Sequence, residues 1–168
     1  GTLWVGSIGG LQYYVPEENA FRRITFPENS SLHIMCITQL RSGEIWVGSS
    51  GRGIFRIRKE TGIGVQMTDI PEVSEHAHYG AIYEDRYGII WIGANGTGLL
   101  RHDPSTRTSK MYTRAVLDGG SSISGMAEDQ SGNFLLSTGT TAYYYDREND
   151  CFAKIEHNES CYRRVPYS

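Results

Sequence analysis

Apolar residues fall along the chain in short, strand-length runs. The clearest, "GIIWIGANGTGLLRHD" at residues 88–103, reads as two strands folded about a glycine-rich tip. The same phrase occurs as "GTLWVGSIGGLQYYV" from residue 1, as "GEIWVGSSGRGIFRIR" from residue 43, and more weakly as "GNFLLSTGTTAYYYD" from residue 132. The opening glycines Gly1, Gly43, Gly88 and Gly132 lie 42, 45 and 44 residues apart. Within the phrases Trp4, Trp46 and Trp91 coincide, with Leu135 in the fourth copy. Gly6, Gly48 and Gly93 follow two places later, relaxed to Ser137. Ahead of each internal glycine stands another apolar run, "LHIMCITQL", "HYGAIYED" and "SISGMAED". Behind each tip comes a last one, "FRRITF", "GVQMTD", "SKMYTR" or "CFAKIE".

Each copy thus predicts four antiparallel strands, and a period of roughly 40–45 residues is that of a propeller blade. The expected architecture is all-β: a β-propeller fragment of about four blades over residues 1–168, starting near 1, 43, 88 and 132. The first blade lacks its innermost strand. One blade cannot bury both faces of its sheet, so each tryptophan is expected in the gap between neighbours. The last residues, "NESCYRRVPYS", alternate poorly, and Pro166 cannot donate to a sheet ladder. A piece of a larger propeller is therefore expected in preference to a closed four-bladed ring.

Composition agrees with sheet. Twenty glycines exceed the usual share of roughly 7%, and 11 tyrosines and 3 tryptophans suit strands. A net charge of −3 with both signs scattered offers no basic stripe, which argues against nucleic acid as a partner. No apolar run reaches the ~20 residues needed to cross a bilayer, so no direct membrane contact is expected in this segment. Cys36, Cys151 and Cys161 have no metal-site spacing; Cys151 and Cys161 could pair locally, and Cys36 replaces Ala81 and Gly125, which marks it as a buried small residue.

The phrase with Trp, Gly and a glycine tip, preceded by "AIYEDRYG" or "GMAEDQSG", resembles the two-component regulator propeller repeat. The resemblance covers essentially the whole chain and is closest over Gly43–Gly53 and Glu84–Asp103; the fourth copy departs at Leu135, Ser137 and Ala142. It implies the periplasmic sensor region of a bacterial hybrid two-component system, coupled elsewhere to a histidine kinase and responding to oligosaccharides. The segment itself would be no enzyme and need no cofactor. Its partners would be an oligosaccharide, adjacent blades or a second copy of the protein.

The acidic pairs Glu84-Asp85 and Glu128-Asp129 recur with the repeat, so Asp85 and Asp129 read as turn acceptors, part of the scaffold with Gly48, Gly93 and the tryptophans. His76 and His78 share one face of an extended segment, but with no third ligand nearby no metal site is expected. The tips lack the lysine and following helix of a phosphate loop. Recognition is expected on the variable loops of one face, with His33, Arg52, His76, His78, Tyr79, Asn95 and Thr97 as candidates. Asn29, Ser30, Asp118, Ser121 and Ser122 belong to the same loops. Two other readings stay open: a lyase-type propeller enzyme with a His/Glu metal site, and a protein-interaction scaffold.

Overall fold

The computed structural model describes residues 1–27, 31–113, 116–117 and 122–155. Asn29, Ser30, Asp118, Ser121, Cys161 and the last segment, with Pro166, lie outside the described residues. Four antiparallel sheets follow one another. Sheet one holds β1 (Trp4–Ser7), β2 (Gly10–Val15) and β3 (Ala20–Arg23), and sheet two β4 (Ile34–Gln39), β5 (Ile45–Ser49), β6 (Ile54–Arg58) and β7 (Ile63–Gln66). The third contains β8 (His78–Glu84), β9 (Ile90–Asn95), β10 (Gly98–Asp103) and β11 (Thr108–Thr113). The fourth contains β12 (Ile123–Glu128), β13 (Phe134–Thr138), β14 (Ala142–Asp146) and β15 (Cys151–Lys154). Strand order within every sheet is sequence order, and β4, β8 and β12 lie innermost, β8 touching both others.

Alternation explains why these runs pack as blades. In β5, Ile45 and Val47 enter the core shared with sheet one, while Trp46 enters the core shared with sheet three. In β9, Ile90 and Ile92 face back and Trp91 faces forward. Both faces of a central sheet are therefore buried, and hydrophobic runs replace the polar alternation of a one-sided sheet. Trp46 and Trp91 are 3% and 0% exposed. Trp4 is half-buried against Tyr13, ring centroids 5.3 Å apart. Leu3 and Val5, on the opposite face of sheet one, are exposed.

The glycine two places after each tryptophan marks the closest approach between blades. A Cβ on Gly6 would stand 2.6 Å from Ile34 Cγ2, and one on Gly93 2.8 Å from Ile123 Cβ; one on Gly48 would strike the Tyr79 carbonyl. The next inner strand thus lies against the backbone of β1, β5 or β9, the strand that carries the tryptophan. At Ser137, the fourth copy's equivalent, the hydroxyl instead donates to the Gly125 carbonyl within its own sheet at 3.4 Å.

The turns between first and second strands link blades on one face of the assembly. Glu84 accepts the Arg41 amide at 2.6 Å, and Glu128 accepts the Arg86 amide at 2.8 Å. The Arg41 guanidinium donates to the carbonyls of Asp85 and Arg86, and that of Arg86 to the Asp129 carbonyl at 2.8 Å. Asp85, 0% exposed, accepts the amides of Tyr87 and Ile89 at 2.9 and 3.0 Å, as its turn position predicts. It also accepts the Trp91 indole N–H at 3.0 Å and Arg147 Nη2 at 2.9 Å, links that the repeat pattern did not disclose.

Candidate ligand-binding face

The opposite face gathers the tips between second and third strands and the connections that enter each inner strand. His33, His78 and Ser122 occupy equivalent places, each one residue before the first core residue of β4, β8 or β12, namely Ile34, Tyr79 and Ile123. Ser50 and Asn95 are equivalent too, two residues beyond Gly48 and Gly93. Each tip reaches the next entry. Ser50 Oγ and His78 Nδ1 lie 2.8 Å apart, and the Ser122 hydroxyl donates to Asn95 Oδ1 at 3.3 Å. Ser50 also donates its amide to the His33 carbonyl at 2.9 Å, so His33 and His78 flank one serine.

Every inner strand then shifts register at the same height, between Ile34 and Cys36, Tyr79 and Ala81, and Ile123 and Gly125. Such a bulge leaves one residue out of the ladder and re-aims its neighbours. The bulged residues Met35, Gly80 and Ser124 stand immediately behind the polar rim. Gly80 is bare where a Cβ would come 3.3 Å from Asn95 Nδ2, so the amide of Asn95 occupies that space.

Arg52 and His76 adjoin this rim on the tip of blade two. The Gly51 amide donates to the Ala77 carbonyl at 3.1 Å, which docks the segment entering β8 onto the tip. Gln66 Nε2 donates to the Arg52 carbonyl at 3.3 Å, and His76 Nε2 lies 3.4 Å from Glu75 Oε1. Thr97 is exposed, its amide bonded to the Ala94 carbonyl at 3.0 Å. Tyr79 stands apart from these candidates. It is 2% exposed within the core beside Trp46, and its hydroxyl donates to the Ser74 carbonyl at 3.1 Å. Burial pushes that hydroxyl above its ordinary pKa. Position in the repeat decides this: Tyr79 is the core residue that meets Gly48, while its neighbour His78 points outward.

Six of the seven candidates thus reach one face together with Ser122 of the loops named above, and the structure adds Ser50, Gln66 and Glu75. Aligning the copies by register would have found Ser50, since it shares the register of Asn95. Glu75 and Gln66 carried no such signal. Among the described residues no group of three or more His, Cys, Asp or Glu is close enough to hold a metal ion. Cys36 is half-buried; burial raises its thiol to about 11, which keeps it protonated and poorly nucleophilic. Cys151 is exposed on the outermost strand.

Comparisons with known proteins agree with this architecture. Residues 75–96 match the family described as "Two component regulator propeller". No curated protein matches the chain significantly. Among solved structures, the extracellular domain of a protein described as a hybrid two component system from B. thetaiotaomicron is 20% identical with a TM-score of 0.74. The match covers 90% of this chain and 21% of that one. A second extracellular domain from the same organism, described as a one component system, is 26% identical with a TM-score of 0.70, covering 95% and 21%. Virginiamycin B lyase from Staphylococcus aureus is 16% identical with a TM-score of 0.68, covering 95% and 53%. The chain spans about a fifth of the first two proteins. The family match falls within the third copy, and the antiparallel sheets on either side repeat the strand plan of that copy.

Proposed function

We propose that this chain is part of a periplasmic sensor propeller that binds an oligosaccharide on the face formed by its tips and strand entries, and that it relays the bound state through adjoining blades. One observation carries the reading: polar side chains that differ from copy to copy gather on one face of a scaffold whose gaps are closed by apolar cores. A rigid scaffold with variable loops is the usual setting for recognition. The likeness to extracellular domains supports an extracytoplasmic setting, and no helix among the described residues is long and apolar enough to cross a membrane. The exposed Leu3 and Val5 stand where Ile45 and Val47 are covered in the next repeat, which supports a further blade or a second copy as a partner.

A thermal-shift screen against a panel of oligosaccharides, with and without EDTA, tests the reading. Stabilisation by particular oligosaccharides supports it. A melting temperature lowered by EDTA supports the lyase-type alternative, for which the likeness to virginiamycin B lyase gives some ground. Silence in both arms favours an interaction scaffold.

A further inference from the structure

The repeated scaffold presents several tips on the binding face, and they differ in chemistry. Those of blades three and four read Asn95-Gly96-Thr97 and Gly139-Thr140-Thr141, without an ionisable side chain. That of blade two reads Gly51-Arg52-Gly53. The segment entering β8 lies over it so closely that a Cβ on Gly53 would stand 3.4 Å from Glu75 Cα. Between them opens a pocket of about 320 Å³ lined by Gly51, Arg52, Gln66, Glu75 and His76.

We propose that this pocket is the chain's ligand subsite, and that it takes an uncharged molecule carrying adjacent hydroxyl groups. The proposal rests on the oligosaccharide-sensing reading above and narrows it to one tip and one charge class. Among the described residues the lining holds one cation and one anion, Arg52 and Glu75, and the imidazole of His76 lies beside that anion. Such a site has no surplus charge to attract an ion. A carboxylate can accept from two neighbouring hydroxyls at once, while guanidinium and amide N–H groups donate to hydroxyl oxygens. Among the described residues no Phe, Tyr or Trp lines the pocket, so recognition there works through hydrogen bonds. Side chains of Glu75 and His76 are 66% and 84% exposed, and water competes for every bond they make. A single ring would therefore bind weakly. A longer molecule gains by running on from the pocket across His78 and Ser50 toward Asn95 and Ser122, which adds contacts without further loss of translational freedom.

The test is titration calorimetry on the full chain with maltotetraose, xylotetraose and tetragalacturonate. Thermal melts confirm that each variant is folded, and substitutions at exposed Glu75 and Arg52 leave the core intact. The expected result is binding of a neutral tetrasaccharide, weakened about tenfold or more by Glu75→Gln and by Arg52→Ala. Thr140→Ala, at the tip of blade four, leaves it unchanged. Binding that survives both substitutions within about twofold puts the ligand elsewhere and overturns the proposal while sensing stands. Preference for tetragalacturonate overturns the charge class. If no oligosaccharide binds, this one or any in the wider panel, the sensing reading falls and the proposal with it.

Discussion

The gap between blades two and three and the gap between blades three and four are built on the same tryptophan and held by different chemistry. Around Trp46 the filling is mainly aliphatic: Ile54, Met67, Ile70, Ile82, Ile92 and Leu100. Leu40 occupies the place of Asp85, and the indole N–H of Trp46 is buried without a hydrogen-bond partner; Arg56 lies over the ring at 5.4 Å. Around Trp91 the filling is aromatic. Phe134 stacks on the indole at 4.3 Å and 14°, and Tyr145 meets it edge-on at 4.9 Å. Asp85 takes the indole N–H and the Arg147 guanidinium, which stacks on Tyr87 at 4.3 Å and reaches Glu128 at 3.4 Å. The fourth copy shows a third solution. Leu135 offers no N–H, and Asp129 instead bonds the Asn133 amide and side chain at 2.9 and 2.7 Å. One position in a repeat thus carries a ring for packing, and its neighbours decide whether the polar edge of that ring costs or contributes.

The comparison breaks most sharply at Trp91. Trp91→Ala is expected to destabilise the fold by about 3–5 kcal/mol, as for other buried aromatics, measured by urea denaturation. Next comes Asp85→Ala, which strands the indole N–H and the buried Ile89 amide and leaves Arg147 to Glu128 alone; a loss of about 3 kcal/mol is expected, and Leu40, already apolar, offers no equivalent to lose. A milder pair sharpens the contrast. Trp91→Phe is expected to cost about 1–3 kcal/mol more than Trp46→Phe, because only the first leaves a buried carboxylate short of a donor. Equal losses would show that the Asp85 bond contributes nothing to the folded state.

The smallest expected effect lies at the outer rim of the gap between blades three and four. Asp150 accepts from the hydroxyls of Tyr112 and Tyr145 and pairs with Lys110. Burial pushes its carboxyl up, but the Lys110 ammonium and the two hydroxyls outweigh it and hold the pKa at about 2, against an ordinary 3.8. The folded state therefore binds its proton less readily than the unfolded chain. The stabilisation is complete above the ordinary value and is lost as pH falls from about 4 to about 2. Melting temperatures followed through that window should fall less steeply in Asp150→Asn than in the parent. At the blade two to three gap, Arg56 and Asp69 pair at 2.7 Å within one repeat rather than across the gap.

Much of the fold was legible because the relevant signals are local. The spacing of Trp46 and Trp91, the two-residue alternation around them and the glycine tips are set by the geometry of a single strand and hairpin. Gly48 and Gly93 were recognisable as repeated positions, although their reason, an inner strand lying against them, needed the neighbouring blade. Tyr79 shows where reading by residue type failed. Its ring and hydroxyl suit a ligand, but register places it in the core, and only His78 beside it reaches the open face.

By itself, the sequence determined the repeat and its four-strand plan, since each follows from periodicity along one chain segment. The tertiary structure decided what meets across the gaps. Arg147 reaches Asp85 from 62 residues away, Arg41 grips the turn of the next blade, and Glu75 comes to rest over the tip that carries Arg52. Such contacts depend on the separation and twist between whole sheets. Those are set by the summed volumes of side chains filling each gap, a quantity that no single stretch of sequence contains.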